Sequence, residues 1–406
     1  MNAVAVLIEC GVAETRASLV IDGEVRRFWF GPARGEETAT VKPAAGDIYW
    51  GRVRRLSPAI GGAFIDIGES VDAFLNIGAA HGLTEGAAMA VRVKRPAVGT
   101  KGALVAAVKA EELERSMRQR TRTGSPPVRL SPVKDAAVAA LDAFAVNGAQ
   151  VEIDDASAVR VVKENAQHKE RKAGQVLYAA ASLDDRDVDE MLERSLSRIE
   201  PLSGGGRLVF DECEAACLID VDAVGAGADR GVGSRRANDD VNEAAMAAVF
   251  SALDRRGIGG NIVVDFLPPQ NAETRRALKQ GLKRAVHQRR GVVEALTKSG
   301  VAILSLPRFA SSLLEQSSVI DNKGSLRDGR VFTVEWRAKA AMRAFERAMR
   351  RSPSQRFQLR VASDICSCLA AQPQWTERLG QRYGARFTIA AAQGDESRDY
   401  DIVEQQ

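Results

Sequence analysis

Two apolar runs in this chain end in carboxylates. CLIDVD carries Asp220 and Asp222 at the end of one run, and IVVDF carries Asp265 at the end of another. Residues two apart on a strand point to the same face, so Asp220 and Asp222 share a side. In an open α/β sheet the carboxyl ends of strands line the ligand crevice, where Asp265 on a neighbouring strand can join them. Carboxylates that converge repel one another unless a hard cation sits between them. Mg²⁺ takes such oxygen ligands and keeps several waters. Held there, it activates water and stabilises the charge of a phosphodiester transition state. The competing reading is that all three are turn-capping aspartates. The neighbours Ile262, Val263, Val264 and Phe266 predict a half-buried Asp265, a charge that needs a partner.

Basic residues form two local patches. Five arginines and no acid lie between Arg115 and Arg129; seven Lys or Arg and one acid lie between Asn271 and Arg290. In the second patch Arg276, Lys279, Lys283 and Arg290 form one stripe, with Leu278, Leu282 and Ala285 opposite. Such patches suit a phosphate backbone, or serve as a solvated outer face. The five cysteines (Cys10, Cys213, Cys217, Cys366, Cys368) are too scattered for a disulfide scaffold, which favours a reducing cytoplasm. Cys366 and Cys368, one residue apart, cannot complete a tetrahedral zinc site alone. Cys213 and Cys217 read as small core residues. His81, His168 and His287 have no metal spacing, so no zinc is assigned.

The elements that must position these groups are mixed. At 406 residues, 45% hydrophobic and 27% charged, the chain can bury a core and form more than one domain. It has no apolar run of 18 residues to span a membrane, and its start predicts no secretory leader. The first 40 residues read as short strands with an Asp22-Gly23 hairpin turn. Five short strands between Gly46 and about residue 110 suit a small OB-type barrel. Past Lys109 come a helix, a Pro126-Pro127 break, a helix capped by Ser131 with Pro132 first, and an alternating α/β stretch. After the glycine turn at 204–206, strand pairs, a glycine-rich loop and the helix VNEAAMAAVFSALDRR describe an α/β domain. A smaller helix-strand repeat ends the chain.

Five strings together resemble the bacterial RNase E/G family. They are GDIYWGRVRRLSPAIGGAFIDIGESVDAFLNI, VKRPAVGTKGA, SGGGRLVFDECEAACLIDVDA, VNEAAMAAVFSALDRRGIGGNIVVDF and ILSLPRFASSLLE, in family order between about residues 3 and 318. The resemblance implies an α+β multidomain fold. Residues 1–40 and 150–200 would form an RNase H-like scaffold, 41–110 an S1-type RNA-binding OB barrel and 111–149 a reduced remnant of a 5′ sensor. Residues 201–318 would form a DNase I-like catalytic α/β domain, 319–329 a linker and 330–406 a small C-terminal α/β domain. It implies a Mg²⁺-dependent endoribonuclease acting on single-stranded RNA in the cytoplasm. The metal aspartates fall on Asp220 and Asp265. The third position, an Asn in the family, is Asp222 here. Asn242, placed before the helix, matches a family Asn. Phe64 and Phe74 fall where the family clamps bases, with Arg95 and Lys101 as its basic pair, although composition alone does not separate such rings from core packing. Tyr49 and Trp50 are further candidates, Trp50 as core or interface.

The sequence also departs from the family. No strand carries a Val-Arg-Thr sensor string between Lys109 and Gln150, so cleavage is expected to ignore the RNA 5′ end. IDNKGSLRDG replaces the zinc-link cysteines, so any homodimer forms without that link. The loop after Phe309 lacks the family's glycine and basic residues. The alternatives are a weakly active or inactive RNA-binding protein on the same scaffold, and a DNA nuclease.

Overall fold

The computed structural model describes residues 3–36, 43–76, 82–97, 101–168, 174–179, 187–203, 205–223, 235–308, 310–321, 330–392 and 399–405, with only the backbone of 167, 168 and 235–238. The glycine-rich loop 224–234, most of the linker, His81, Phe309 and the His168 side chain lie outside that description. The chain forms two compact units. One holds residues 1–36, 135–307 and 312–406; the other holds 37–134 and 308–311.

The chain opens with Val4–Cys10 (β1), Thr15–Ile21 (β2) and Glu24–Gly31 (β3). Asp22 and Gly23 both take positive φ between β2 and β3, the left-handed backbone a tight hairpin needs.

The barrel unit follows with Ile48–Ser57 (β4), Gly62–Asp66 (β5), Ala73–Asn76 (β6), Ala88–Arg95 (β7), Leu104–Ala107 (β8), Arg115–Thr123 (α1) and Val128–Arg129 (β9). Five strands pair in the order β4-β5-β6-β8-β7, and β7 returns to β4, which closes the barrel. Val53, Ala63, Ile65, Leu75, Val91 and Val93 fill it. The sequence predicts no strand between Lys109 and Gln150, yet β9 adds to β4 through Tyr49↔Arg129 and Trp50↔Val128. An Asp47–Arg129 ion pair of 2.8 Å holds it there. Two residues are too short to leave a periodic signal.

The first unit resumes with Ala136–Phe144 (α2), Gln150–Ile153 (β10), Ala156–His168 (α3), Val176–Tyr178 (β11) and Val188–Leu196 (α4). The cap of α2 is Asp135, whose carboxylate accepts from the Ala137 amide, and not Ser131. The Ser131 hydroxyl, still within the barrel unit, instead accepts from the Ile48 amide. Strands order β11-β10-β1-β2-β3, with β1 parallel to β10 and antiparallel to β2. α2 and α3 cover one face through Val138, Leu141, Phe144, Ala158 and Val162.

A second sheet comprises Ile199–Pro201 (β12), Arg207–Glu212 (β13), Cys217–Asp222 (β14), Gly260–Asp265 (β15), Val292–Leu296 (β16) and Val301–Leu306 (β17). Their order is β12-β13-β14-β15-β17-β16. Helices Arg235–Arg256 (α5) and Ala272–Gln288 (α6) cover one face. Leu313–Ser317 (α7) leads to the pair Ser318–Ile320 (β18) and Arg330–Phe332 (β19).

Val334–Arg351 (α8), Arg356–Val361 (β20), Ser363–Ala370 (α9), Pro373–Tyr383 (α10), Phe387–Ala391 (β21) and Tyr400–Gln405 (β22) complete the chain. Their core includes Val12 and Ala13 from the β1–β2 turn, so this segment belongs to the same unit as the N-terminus. No described helix is long and apolar enough to cross a membrane.

Candidate active site and nucleic-acid interface

β14 alternates strictly. Cys217, Ile219 and Val221 point into the core under α5 and α6, while Leu218, Asp220 and Asp222 face the opposite side. β15 does the same: Ile262 and Val264 are buried, and Asp265 is exposed. The strands run parallel, with Asp220 directly opposite Asp265. Neighbouring strands lie about 4.8 Å apart, so the two carboxylates stand side by side on the open face. Asp265 is therefore not half-buried. Its apolar neighbours Val264 and Phe266 are buried themselves and do not cover it. Partial burial, then the charges of Asp222 and Asp265, push the Asp220 carboxyl above the ordinary range. Such a pair fits a cation held by two carboxylates and water.

Asp222 has a separate partner. Arg207 stands opposite it on β13, and the guanidinium meets the carboxylate at 2.9 Å through Nε and 2.8 Å through Nη2. The charge added at this position is thus offset within the same strand pair. Among the described residues, no three His, Cys, Asp or Glu side chains are grouped to hold a metal ion.

Asn242 lies inside α5 rather than before it, and it is buried. Its Nδ2 donates to the Leu267 carbonyl at 2.8 Å, and its Oδ1 accepts from the Leu267 amide at 3.0 Å. This pins the backbone two residues past Asp265. Gly300 presses on the same turn at φ 108°, where an added Cβ would lie 2.3 Å from the Phe266 oxygen. A polar residue on a core-facing helix turn was the available signal for the clamp, but its backbone partner was not legible.

On α6, Arg276, Lys279 and Lys283 are exposed, while Leu278, Leu282 and Val286 pack with Ile262 and Val264. The basic stripe therefore lies on the far side of the core from Asp220 and Asp265. Arg290 falls beyond the helix at positive φ. Past Phe309, Ser312 and Glu315 form a capping box that starts α7. Cys217 is buried as expected of a core thiol, but Cys213 is exposed. Cys366 and Cys368 sit half-buried on α9.

The barrel carries a continuous row of side chains across its strands. Arg55 pairs with Phe64, Phe64 with Phe74, Phe74 with Leu104, and Leu104 with Arg95. The Phe64 and Phe74 rings meet edge to face with centroids 5.7 Å apart, and the Arg55 guanidinium lies 4.8 Å from the Phe64 centroid. Neither ring belongs to the barrel core; both are half-buried on its outer surface. Gly62 makes room for the Phe74 ring, which an added Cβ would meet at 2.1 Å. Arg95 donates to the Pro96 carbonyl at 3.1 Å and the Gly102 carbonyl at 3.5 Å. Burial and the nearby Arg308 charge lower its guanidinium pKa. Lys101 is exposed. Arg55 and Leu104 complete the row but were not singled out from sequence, because only the register reveals them. Tyr49 is barrel core, and Trp50 packs in a second cluster under α1.

The barrel row can stack bases on paired rings and neutralise phosphates at both its ends; the β14–β15 pair, on the other unit, can present two carboxylates to a cation. Several known proteins share stretches of this sequence. The "Ribonuclease E/G-like protein, chloroplastic" of Arabidopsis thaliana is 32% identical over 122 residues, 30% of this chain and 12% of that protein. Ribonuclease G of Escherichia coli K12 is 28% identical over 193 residues, 46% of this chain and 38% of the relative. Ribonuclease E of the same strain is 29% identical over 147 residues, 35% and 14% of the two chains. The alignments thus span well under half the length of each relative. The model of the Ribonuclease E/G family matches residues 91–309, which run from the last barrel strands through β14, α5 and β15. With more than half of its length inside that match, the chain belongs to the Ribonuclease E/G family.

Proposed function

We propose that this chain is an endoribonuclease that cleaves single-stranded RNA with Mg²⁺ held by Asp220 and Asp265. The observation that carries this is the direct pairing of these two exposed carboxylates on parallel strands. When bound, the ion supplies Lewis-acid polarisation and an activated water. Asp220 and Asp265 give oxygen ligands. Asn242 fixes the turn after Asp265, and Asp222 holds Arg207 at the edge of the site. Phe64 and Phe74 stack bases, while Arg95 and Lys101 meet phosphates. Under the same reading the barrel is S1-type, the first sheet RNase H-like and the second DNase I-like, and the protein works in the cytoplasm on ribosomal or messenger RNA. A homodimer would form without a zinc link.

Purified protein incubated with labelled single-stranded RNA should cut internally with Mg²⁺ and not with EDTA, and should leave matched DNA intact. One observation favours a second reading, a weakly active or inactive RNA-binding protein: Arg207 occupies Asp222, leaving two carboxylates for the ion. RNA binding with no Mg²⁺-dependent cleavage would establish that alternative.

A further inference from the structure

On the barrel unit, α1 lies over β4, β7 and β9, and Leu113 and Met117 anchor its N-terminal end in a small core with Ile48, Ala90 and Leu130. Between helix and barrel remains a cavity of about 340 Å³. It is a cleft about half open to solvent, and its volume lies near the bottom of the roughly 300–1,000 Å³ range of clefts that hold small ligands. Trp50, Met89, Val108 and Leu113 give it apolar walls, and Arg118 and Arg122 line it from α1.

The two guanidiniums are one helical turn apart and exposed, and neither side chain makes a hydrogen bond or ion pair with any described residue. Glu114 sits one turn before Arg118 without pairing to it. Arg120, between them, is used structurally and donates to the Leu130 carbonyl at 3.1 Å. An apolar, Trp-walled pocket with unpartnered cations at its edge matches a ligand that is aromatic at one end and anionic at the other. A nucleotide is such a ligand. β4 also contributes Arg55 to the Phe64–Phe74 row, five residues beyond Trp50, so one strand of the barrel carries both places.

We infer that this cavity takes one internal nucleotide of the bound single strand, its base against Trp50 and its flanking phosphates at Arg118 and Arg122. The assignment rests on the single-stranded RNA reading above and extends the RNA contact beyond the aromatic row.

The test is equilibrium binding in EDTA, so that cleavage does not intervene. A labelled single-stranded RNA of about 12 nucleotides, within the span of one OB-type site, is titrated with the full chain and with two variants. Arg118→Gln/Arg122→Gln should weaken binding at least about fivefold and make the log-log salt slope shallower by about 1.4, the share of two phosphates. Trp50→Leu should weaken binding with the slope unchanged. Should Trp50→Leu melt early, the exposed arginine variant decides alone. Wild-type affinity and slope in the arginine variant would overturn the assignment. Displacement of the RNA by free AMP at equal concentration would also overturn it, making the cavity a site for a free nucleotide. Absence of cleavage with these binding changes intact would remove the nuclease reading and leave the cavity assigned. No RNA binding by the wild-type chain would remove both.

Discussion

At the scale of single residues, the Asp220–Asp265 pair carries the proposed metal site. Replacing either by Asn keeps the shape and removes a charged ligand. Asp220→Asn and Asp265→Asn should each reduce Mg²⁺-dependent cleavage to background, while affinity for RNA in EDTA stays at the wild-type level; turnover near wild type in either would end the metal assignment. A different carboxylate, Asp154, carries a pH-dependent contribution to stability. Asp154 accepts from the Cys10 amide at 2.7 Å, and its other oxygen is 3.5 Å from Arg350. Burial, then the Glu9 charge, push its carboxyl up to about 7, against the Cys10 amide, Arg350 and Arg382. Glu9 is itself gripped by Arg16 and Arg350, and nearby Glu346, also raised by burial, by Arg382. A carboxyl raised in the folded state keeps a proton that the unfolded chain, with a pKa near 3.9, releases earlier. Its contribution is therefore fully present below about pH 4 and is lost as pH rises to about 7. Asp154→Asn removes that loss. Urea midpoints from about pH 5 to pH 8 should show the wild type falling relative to the variant up to about pH 7, then running parallel. A wild type that instead gains on the variant over that range would contradict the protonated Asp154.

At the scale of elements, the strands do the positioning. The period of two places Asp220 and Asp222 on one face, and this was legible in CLIDVD. That Asp265 stands beside Asp220 rather than one residue off depends on the β14–β15 register. The barrel row is likewise a product of register. Two physical contributions can be separated there. Phe64→Ala should weaken RNA binding through lost stacking, roughly 1–3 kcal/mol, with the salt dependence unchanged. Lys101→Ala should make the log-log salt slope shallower by about 0.7. Equal slopes in wild type and Lys101→Ala would mean that this lysine does not meet phosphate. Helix α6 shows the limit of pattern reading. Its amphipathic stripe is real, but which side of the sheet the helix covers is a matter of chain path, and it covers the side away from the acids.

At the scale of the whole molecule, the ends of the chain meet. Arg343 binds Glu14, Arg350 binds Glu9, and Arg347 binds Asp189. Arg382 donates to the Cys10 carbonyl and Arg378 to that of Val12. The C-terminal segment thus supplies arginines to the N-terminal strands and shares their core at Val12 and Ala13. In the barrel unit, the stretch where a 5′ sensor would stand holds α1 and the two-residue β9. A sensor for a terminal phosphate needs a fork of donors closed around it, whereas Arg118 and Arg122 of α1 are exposed, one turn apart, at the open edge of the cavity. Initial rates on RNAs with a 5′ monophosphate, triphosphate or hydroxyl should agree within about tenfold, or about 1.4 kcal/mol. A larger monophosphate preference would show that a sensor persists.

The sequence by itself determined what depends on local period and composition. The alternation of β14, the barrel's short strands, the Asp22-Gly23 hairpin and the family strings are all written in neighbouring residues, whereas the exposure of Asp265 on β15 is not. The tertiary structure decided what depends on partners distant in the chain. The Asp222–Arg207 ion pair, the Asn242 clamp on Leu267 and the arginines that bind Glu9 and Glu14 join residues from 15 to more than 300 positions apart. The reason is physical. Periodicity fixes which way a side chain points, whereas the group it then faces is set by register and by the path of the chain through the core.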